Sequence, residues 1–163
     1  MYRVAIITLS DKGARGERED VSGQVIREMV TEAGYSVTEQ LLLSDDREGL
    51  ANELRRIADN RMADLILTTG GTGFSPRDNT PEATMDVVER PVPGIAEAMR
   101  FSSLQITKRA MLSRAVSGIR KSTLIINLPG SPKAVKENLS YLMDTLEHGL
   151  AILTGTDGEC ARK

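Results

Sequence analysis

The chain has a single cysteine and a single histidine among 163 residues. Because Cys160 has no second cysteine to pair with, the sequence excludes an intramolecular disulfide framework and a cysteine zinc site. His148 has no partner spacing for metal or triad chemistry, which predicts a structural role. No apolar run approaches the roughly 18–20 residues that a membrane span needs. The N-terminal residues also lack a signal peptide's long apolar region, which favours a cytoplasmic location.

Acidic residues are missing from one long segment of the chain. The net charge of −2 argues against general nucleic-acid binding, but no aspartate or glutamate occurs between Glu97 and Glu137. That segment holds eight of the 21 basic residues, so the remaining chain carries 13 against all 23 acidic ones. Such a pattern indicates either a local site for an anionic ligand or a basic surface that meets an acidic surface of another subunit.

Apolar runs alternate with segments of helical period along the whole chain. The predicted strands are Val4–Leu9, Val37–Leu43, Leu65–Thr68, Ala115–Ile119 and Thr123–Leu128. Three predicted helices have apolar faces formed by Val21, Val25, Met29 and Ala33, by Leu50, Leu54, Ile57 and Ala58, and by Val135, Leu139, Leu142, Leu146 and Leu150. This alternation predicts a three-layer α/β domain with a mostly parallel sheet. A hairpin at residues 120–122 can make the sheet mixed by adding one antiparallel strand.

Further signals mark the ends of helices and of the domain. Gly34 is predicted to follow a helix as its C′ residue. Thr80 is predicted to cap another helix, with Pro81 at its first position, and Gly94–Leu104 is a further predicted helix. We expect one domain over residues 1–155 and a frayed tail over 156–163.

Polar or glycine-rich sequence follows four of the predicted strands. The four segments are Ser10-Asp11, Ser44-Asp45-Asp46, Gly70–Asp78 and Asn127–Ser131. In open α/β sheets, ligands bind outside the carboxyl ends of the strands, near a switch in strand order. We therefore expect these four segments to converge on one site.

The glycine-rich segment Gly70-Gly71-Thr72-Gly73 can cradle an oxyanion, because glycines allow successive N–H groups to point at one ligand. It is not a Walker loop, since no Gly-Lys-Ser/Thr follows, and it lacks the third glycine of the dinucleotide fingerprint. A tight strand-to-helix turn is the alternative structure for such a segment.

Two aspartates that lie just past predicted strand ends are candidate ligands for Mg²⁺, which takes one or two carboxylates together with substrate phosphates. Asp78 either plays this part or forms an Asx-type turn that organises the loop. Asp45 either plays it or caps the helix that starts near Asp46. Lys133, close to a helix N-terminus, either offsets anionic charge or is a solvated surface lysine.

The motifs together resemble those of the molybdopterin adenylyltransferases, the MogA-type proteins that are related to the G domains of gephyrin and plant Cnx proteins. Their signature corresponds to Thr68–Thr84. The other matching stretches are Thr8–Asp11, Asp20–Gly23, Pro93–Ile95, Met111–Arg114, Gly118–Arg120 and Leu124–Pro132. These stretches occur in the family's order along nearly the whole chain, which makes the resemblance more specific than the glycine loop alone.

The resemblance implies an α/β/α fold with a mixed sheet, a homotrimer, and transfer of AMP from Mg²⁺-ATP to the terminal phosphate of molybdopterin with release of pyrophosphate. A downstream metal-insertion protein is an implied partner. Asp45 and Asp78 correspond to the family's two essential aspartates and are the implied catalytic and metal-binding residues. The implied molybdopterin-binding and ATP-binding residues are Ser10, Asp11, Gly70, Gly71, Thr72, Gly73, Thr80, Ser113, Arg114, Asn127, Gly130, Ser131 and Lys133.

The family also contains MoaB-type members, so a non-catalytic molybdopterin carrier is an alternative. The Arg77-Asp78 pair and Asp45 favour the MogA type, because a pure binder of anions gains nothing from carboxylates beside a phosphate cradle. Ser44 departs from the proline that many members have before the first aspartate, which alters loop stiffness more than chemistry. A scaffold role and a generic nucleotide-binding phosphotransferase are two further candidate functions.

Overall fold

The computed structural model describes residues 1–156. Its strands are β1 (Arg3–Leu9), β2 (Ser36–Leu43), β3 (Leu65–Thr69), β4 (Arg90–Pro91), β5 (Ser117–Arg120) and β6 (Thr123–Leu128). Its α-helices are α1 (Asp11–Ala14), α2 (Val21–Glu32), α3 (Arg47–Asp59), α4 (Thr80–Val87), α5 (Pro93–Leu104) and α6 (Pro132–Thr154), and a 3₁₀ helix covers Lys108–Leu112. These elements confirm the predicted alternation of strands and helices.

The strands form one mixed sheet in the order β2-β1-β3-β6-β5-β4. Strands β1, β2, β3 and β6 are parallel, whereas β5 is antiparallel to both of its neighbours. The predicted mixed sheet with one reversed strand is therefore confirmed. The chain leaves β1 for β2 at the sheet edge and returns to β3 on the other side of β1, so the strand order switches between β1 and β3. Ligands of open α/β sheets bind at such a switch.

Two apolar layers cover the two faces of the sheet. Val4 and Ile6 of β1 pack in one core with α2, α5 and α6, while Ala5 and Ile7 pack in another with α3 and α4. Successive side chains of a strand point to opposite faces, so a strand buried on both faces is apolar throughout. The five predicted apolar positions of α6 are all buried. These two cores confirm the three-layer α/β/α architecture.

The predicted apolar face of α2 is partly wrong. Val21 is 46% exposed and Ala33 is also exposed, although the helix itself lies where it was predicted. Its fully packed positions are Ser22, Gly23, Ile26 and Val30. Gly23 lies close to β1, since a Cβ at this position would be 2.8 Å from Thr8 Oγ1, and the Ser22 hydroxyl donates to the carbonyl of Gly130. Large apolar side chains at this end would not fit between helix and strand.

Several element boundaries differ from those predicted, most of them by one residue. Strand β5 begins at Ser117, two residues after the predicted start, and the two-residue strand β4 was not predicted. Asn79, not Thr80, precedes the first residue of α4. Gly34 has φ +86° directly after the cap of α2, as predicted for a C′ glycine. No helix within residues 1–156 has the length and apolar content needed to cross a bilayer. The predicted tail beyond Thr156, with Cys160, lies outside the described residues.

Candidate active site

The four polar segments that follow β1, β2, β3 and β6 meet as predicted. They surround a cavity of about 670 Å³, here called the first cavity, to which they contribute Ser10, Asp45, Gly70 and Ser131. The ends of β1 and β3 are in close contact: a Cβ placed on Gly70 would lie 2.4 Å from the carbonyl oxygen of Leu9. Gly70 also has φ +94°, which L-residues with a Cβ rarely adopt. A glycine is required at this position by both backbone angle and space.

Asp11 and Asp45 are joined across the ends of β1 and β2. The backbone N–H of each donates to the carboxylate of the other, at 3.0 Å for the Asp11 N–H and 2.9 Å for the Asp45 N–H. Arg77 donates two hydrogen bonds to Asp11, at 3.0 and 2.9 Å. The cation next to Asp78 in sequence therefore pairs with a different carboxylate of the same cavity.

The two joined carboxylates differ in their electrostatic surroundings. The hydrogen bonds from Arg77 and from the backbone of Asp45 lower the pKa of Asp11 to about 2. Burial raises the pKa of Asp45, and the charges of Asp11 and Asp78 raise it as well, against the hydrogen bond from the Asp11 N–H. The Asp11 N–H and the charge of Arg77 compensate the charge of Asp45 only in part, which suits a carboxylate that binds a cation.

Asp45 and Asp78 both lie against the glycine loop. A Cβ on Gly71 would be 3.3 Å from Asp45 Oδ1, and a Cβ on Gly73 would be 2.9 Å from Asp78 Oδ2. The N-cap of α3 is Asp46, whose carboxylate accepts from the Gly49 N–H at 2.7 Å, so the capping role predicted as an alternative for Asp45 is wrong.

Asp78 organises the turn before α4, but not as an Asx turn, because its carboxylate accepts from a residue three positions earlier and not two positions later. One of its carboxylate oxygens accepts from the Ser75 N–H at 3.0 Å, and its own N–H donates to the Ser75 carbonyl at 2.9 Å. Asp78 also lines the first cavity. The turn therefore holds this carboxylate at the cavity wall, and organising the loop in this way is compatible with the predicted metal-binding role.

The donor set fits Mg²⁺ bound together with substrate. Among residues 1–156, no group of three or more His, Cys, Asp or Glu side chains could hold a metal ion by itself. Mg²⁺ commonly keeps several waters and uses one or two carboxylates plus substrate phosphates. Asp45 and Asp78 on one cavity wall supply that number of carboxylates.

The carbonyl groups of the glycine loop, residues 70–73, are all turned into the protein. Thr80 donates through its hydroxyl and its backbone N–H to the first two carbonyls, at 2.9 and 3.1 Å. Arg114 donates through its backbone N–H and Nε to the third and fourth, at 2.9 and 2.8 Å. The hydroxyl of Thr80 thus braces the loop, whereas the sequence predicted that this residue would cap α4. With its acceptors occupied, the loop can present N–H groups to an anion.

A second cavity of about 290 Å³ lies on the other side of the glycine loop. Gly70 and Gly71 line the first cavity, whereas Thr72 and Gly73 line the second. The second cavity also contains Ser113 and three charged side chains, namely Arg100, Arg109 and Glu137. The first cavity is lined by five carboxylates, those of Asp11, Glu19, Asp20, Asp45 and Asp78, and by two cations, Lys12 and Arg18. One loop therefore separates a carboxylate-rich cavity from a smaller one with an excess of arginine.

Four of the predicted site residues line neither cavity, namely Thr80, Arg114, Asn127 and Lys133. Asn127 is fully buried, and its side-chain amide donates to the hydroxyls of Thr68 and Thr84 at 3.0 and 2.9 Å. Its amide oxygen accepts from the backbone N–H of Val116, directly before β5. It therefore joins β6 to β3 and α4 beneath the site. Lys133 is exposed in the first turn of α6, and Arg114 contacts the glycine loop from outside the cavities.

Asp20 and Ser22 also line the first cavity, although neither is among the predicted site residues. Asp20 caps α2 by accepting from the Gly23 N–H at 2.9 Å, and it also accepts from the Thr8 hydroxyl at 2.8 Å. Ser22 donates to the carbonyl of Gly130 at 2.6 Å, which ties α2 to the turn before α6. The signal was present in the family-like stretch Asp20–Gly23, whose acid before a helix is an N-cap pattern.

Comparison with known proteins gives consistent matches over nearly the whole chain. Residues 5–148 match the family model MoCF_biosynth, described as a probable molybdopterin binding domain. The molybdopterin adenylyltransferase of Helicobacter pylori J99 is 37% identical over 154 residues, which cover 93% of this chain and 88% of that protein. The molybdopterin adenylyltransferase of Escherichia coli K12 is 39% identical over 144 residues, which cover 87% and 74% of the two chains.

The fold is also that of solved structures in the same group. The crystal structure of the molybdopterin biosynthesis enzyme MoaB from Thermus thermophilus matches with a TM-score of 0.90 and 48% identity, covering 95% of this chain and 98% of that one. The predicted resemblance is thus confirmed in sequence and in fold. The chain belongs to the family of probable molybdopterin binding domains.

Proposed function

We propose that this protein is a molybdopterin adenylyltransferase, which transfers AMP from ATP to the terminal phosphate of molybdopterin in molybdenum cofactor biosynthesis. The names of its curated relatives support this activity. The single observation that carries the proposal is the glycine loop, which has Asp45 and Asp78 against it and forms a wall of two separate cavities. A reaction between two phosphate-bearing substrates needs two adjoining sites and a means of neutralising charge between them.

The proposed reaction requires no proton transfer from the nucleophile. A phosphate oxygen of molybdopterin, already anionic at neutral pH, forms a bond to the α-phosphorus of ATP. The bond from that phosphorus to the oxygen bridging to the β-phosphate breaks, and pyrophosphate leaves with the electron pair. Asp45 and Asp78 would hold Mg²⁺, which when bound neutralises charge on the ATP phosphates. The remaining catalytic contribution is positioning by the chain's own groups.

We assign ATP to the first cavity and the molybdopterin phosphate to the second. The first cavity is the larger and contains both candidate metal-binding carboxylates. It also contains Gly130 and Ser131 at the N-terminus of α6, where helix N–H groups and the dipole favour phosphates, and Lys133 adds charge in that turn. The arginines of the second cavity, Arg100 and Arg109, favour an anionic phosphate.

The decisive experiment is incubation of the purified protein with molybdopterin, ATP and Mg²⁺, followed by measurement of adenylated molybdopterin and pyrophosphate. We expect both products in equal amounts and neither after addition of EDTA. A carrier of the MoaB type would bind molybdopterin with unchanged affinity in the presence or absence of ATP and would release no pyrophosphate. That second result would contradict the proposal.

The predicted homotrimer is supported by an exposed apolar surface on α5, the 3₁₀ helix and the turn between them. Its members are Phe101, Leu104, Ile106, Met111 and Leu112. The surface lies in the segment without acidic residues, so it complements the more acidic remainder of a second copy. Light scattering should give three times the chain mass, and Met111→Glu should lower the measured mass. A wild-type monomer would contradict the homotrimer.

The metal-insertion partner stays a prediction.

A further inference from the structure

Each nitrogen of the Arg114 guanidinium group has a partner around the glycine loop. Its Nε donates to the carbonyl of Gly73 at 2.8 Å, and its Nη2 donates to the carbonyl of Asp78 at 2.7 Å. Its Nη1 forms an ion pair with Glu82 in the first turn of α4. The backbone N–H of Arg114 also donates to the carbonyl of Thr72 at 2.9 Å. One side chain thus joins the two ends of the segment 73–78.

That segment has little other support from the core. Residues 74–77 are exposed, and Phe74 has 70% of its surface in contact with solvent. Inside the segment, Asp78 and Ser75 exchange the two hydrogen bonds of the turn. Apart from the Arg114 contacts, the segment is held by the ion pair of Arg77 with Asp11 and by the Asn79 side-chain amide, which donates to the Arg77 carbonyl at 3.3 Å. The position of Asp78 relative to the glycine loop therefore depends on the bridge that Arg114 makes between two carbonyls.

Glu82 keeps the guanidinium in place. Burial alone raises the pKa of Glu82, but the hydrogen bond from Arg114, together with neighbouring donors and charges, outweighs it and holds the pKa below its usual range. Glu82 is therefore ionised at neutral pH and orients Arg114 from the start of α4. Arg114 is also directly preceded by Ser113, which lines the second cavity. Arg114 thus connects Ser113, in the wall of the second cavity, to the backbone of Asp78, which lines the first cavity.

We infer that Arg114, oriented by Glu82, is a positioning residue that sets the place of Asp78 between the two cavities. This inference rests on the proposed adenylyl transfer and assigns Arg114 no contact with the reacting atoms. Lysine cannot replace it, because a single ammonium group lacks the planar fork that reaches two carbonyls and a carboxylate together. Misplacement of a catalytic group by about 1 Å can cost roughly 100-fold in rate.

The test compares Arg114→Lys and Arg114→Ala with a matched control, Arg120→Ala. Arg120 also bridges a carboxylate and a carbonyl, those of Asp59 and Val87, but lines neither cavity. We expect Arg114→Lys to lower kcat by about 10- to 100-fold while the KM for each substrate changes by less than about threefold. Arg120→Ala should lose thermal stability and keep kcat. The kcat of Glu82→Gln should lie between that of wild type and that of Arg114→Lys.

Hydrogen exchange supplies a readout that does not depend on turnover. The Asp78 amide, bonded within the turn, should exchange faster in both Arg114 variants and at the wild-type rate in Arg120→Ala. Wild-type kcat in a folded Arg114→Lys protein, or unchanged exchange at Asp78, would overturn the inference. An inactive wild-type protein would instead refute the proposed function, and the exchange measurement would still decide whether Arg114 holds the segment.

Discussion

Asp11 and Asp45 each accept a hydrogen bond from the backbone N–H of the other, at 2.9 and 3.0 Å. This reciprocal pair joins the segments that follow two neighbouring parallel strands, β1 and β2. The geometry is symmetric but the electrostatics are not, because Arg77 neutralises Asp11 while Asp45 faces further carboxylates. Removing the charge of Asp11 and removing the charge of Asp45 should therefore change the stability of the protein in opposite directions.

We expect Asp45→Asn to stabilise the protein without ligands and Asp11→Asn to destabilise it. The pKa of Asp45 is raised by burial first, so its ionised form costs folding free energy at neutral pH, and an amide removes that cost. Because the site is open to solvent, the gain should be at most about 1 kcal/mol, or about 2–4 °C in Tm. Asp11→Asn removes the ion pair with Arg77. Thermal melts at pH 7 check both signs, and a lower Tm for Asp45→Asn would contradict this account.

The contribution of Asp11 to stability should disappear in acid. Its pKa of about 2 lies below that of an unfolded aspartate, so its stabilisation is present above the unfolded pKa of about 3.9 and is lost as pH falls towards about 2. Urea denaturation of wild type and Asp11→Asn between about pH 5 and pH 2 measures this. The difference between their free energies of unfolding should be constant above about pH 5 and shrink as the pH falls. A difference that does not change with pH would show that the Arg77 ion pair is not its source.

Asp78→Asn should keep the fold and molybdopterin binding but lose most of the turnover. An amide oxygen still accepts from the Ser75 N–H, so the turn is preserved, whereas the charge that would hold Mg²⁺ is lost. We expect kcat to fall by about 100-fold or more. The matched control is Asp86→Asn, an exposed aspartate paired with Arg47 outside both cavities. Near wild-type turnover in Asp78→Asn would rule out a metal role for this residue.

Two glycine substitutions should act in opposite directions. Gly70→Ala requires an unfavourable φ of +94° and places a Cβ 2.4 Å from the Leu9 carbonyl oxygen, so we expect a loss of several kcal/mol or failure to fold. Gly149→Ala lies within α6 with nothing within 4 Å of the new Cβ, and should stabilise by about 0.5–1 kcal/mol. Chemical denaturation measures both. A tolerated Gly70→Ala would mean that the two strand ends are not in close contact.

The parts of the fold that the sequence predicted well are those with a repeated local signal. Strand β1 is apolar at every position from Val4 to Ile7 because both of its faces are buried, and α6 has five apolar residues at helical spacing, all buried. Strand β4 was missed because Arg90-Pro91 has no strand signal of its own. It exists through its antiparallel pairing with β5, which forms only after the chain has folded.

The candidate site shows the same limit at single residues. Thr80 carries a genuine helix-start signal beside Pro81, yet its hydroxyl donates to the Gly70 carbonyl across the loop. Asn127 lies on a segment that reaches the site, but its side chain is directed into the core towards Thr68 and Thr84. Side-chain direction depends on which elements pack on either side, and local spacing does not contain that information.

The sequence by itself determined the alternation of strands and helices and placed polar, glycine-rich segments at four strand ends. Parallel strands bring such ends to one edge of the sheet, so a shared site followed from pattern alone. The tertiary structure decided which charges meet there. Arg77 is adjacent to Asp78 in sequence but pairs with Asp11, 66 residues away, because β1 and β3 are neighbours and their loops face each other. That pairing leaves Asp45 and Asp78 as the carboxylates at the glycine loop that we propose for the metal.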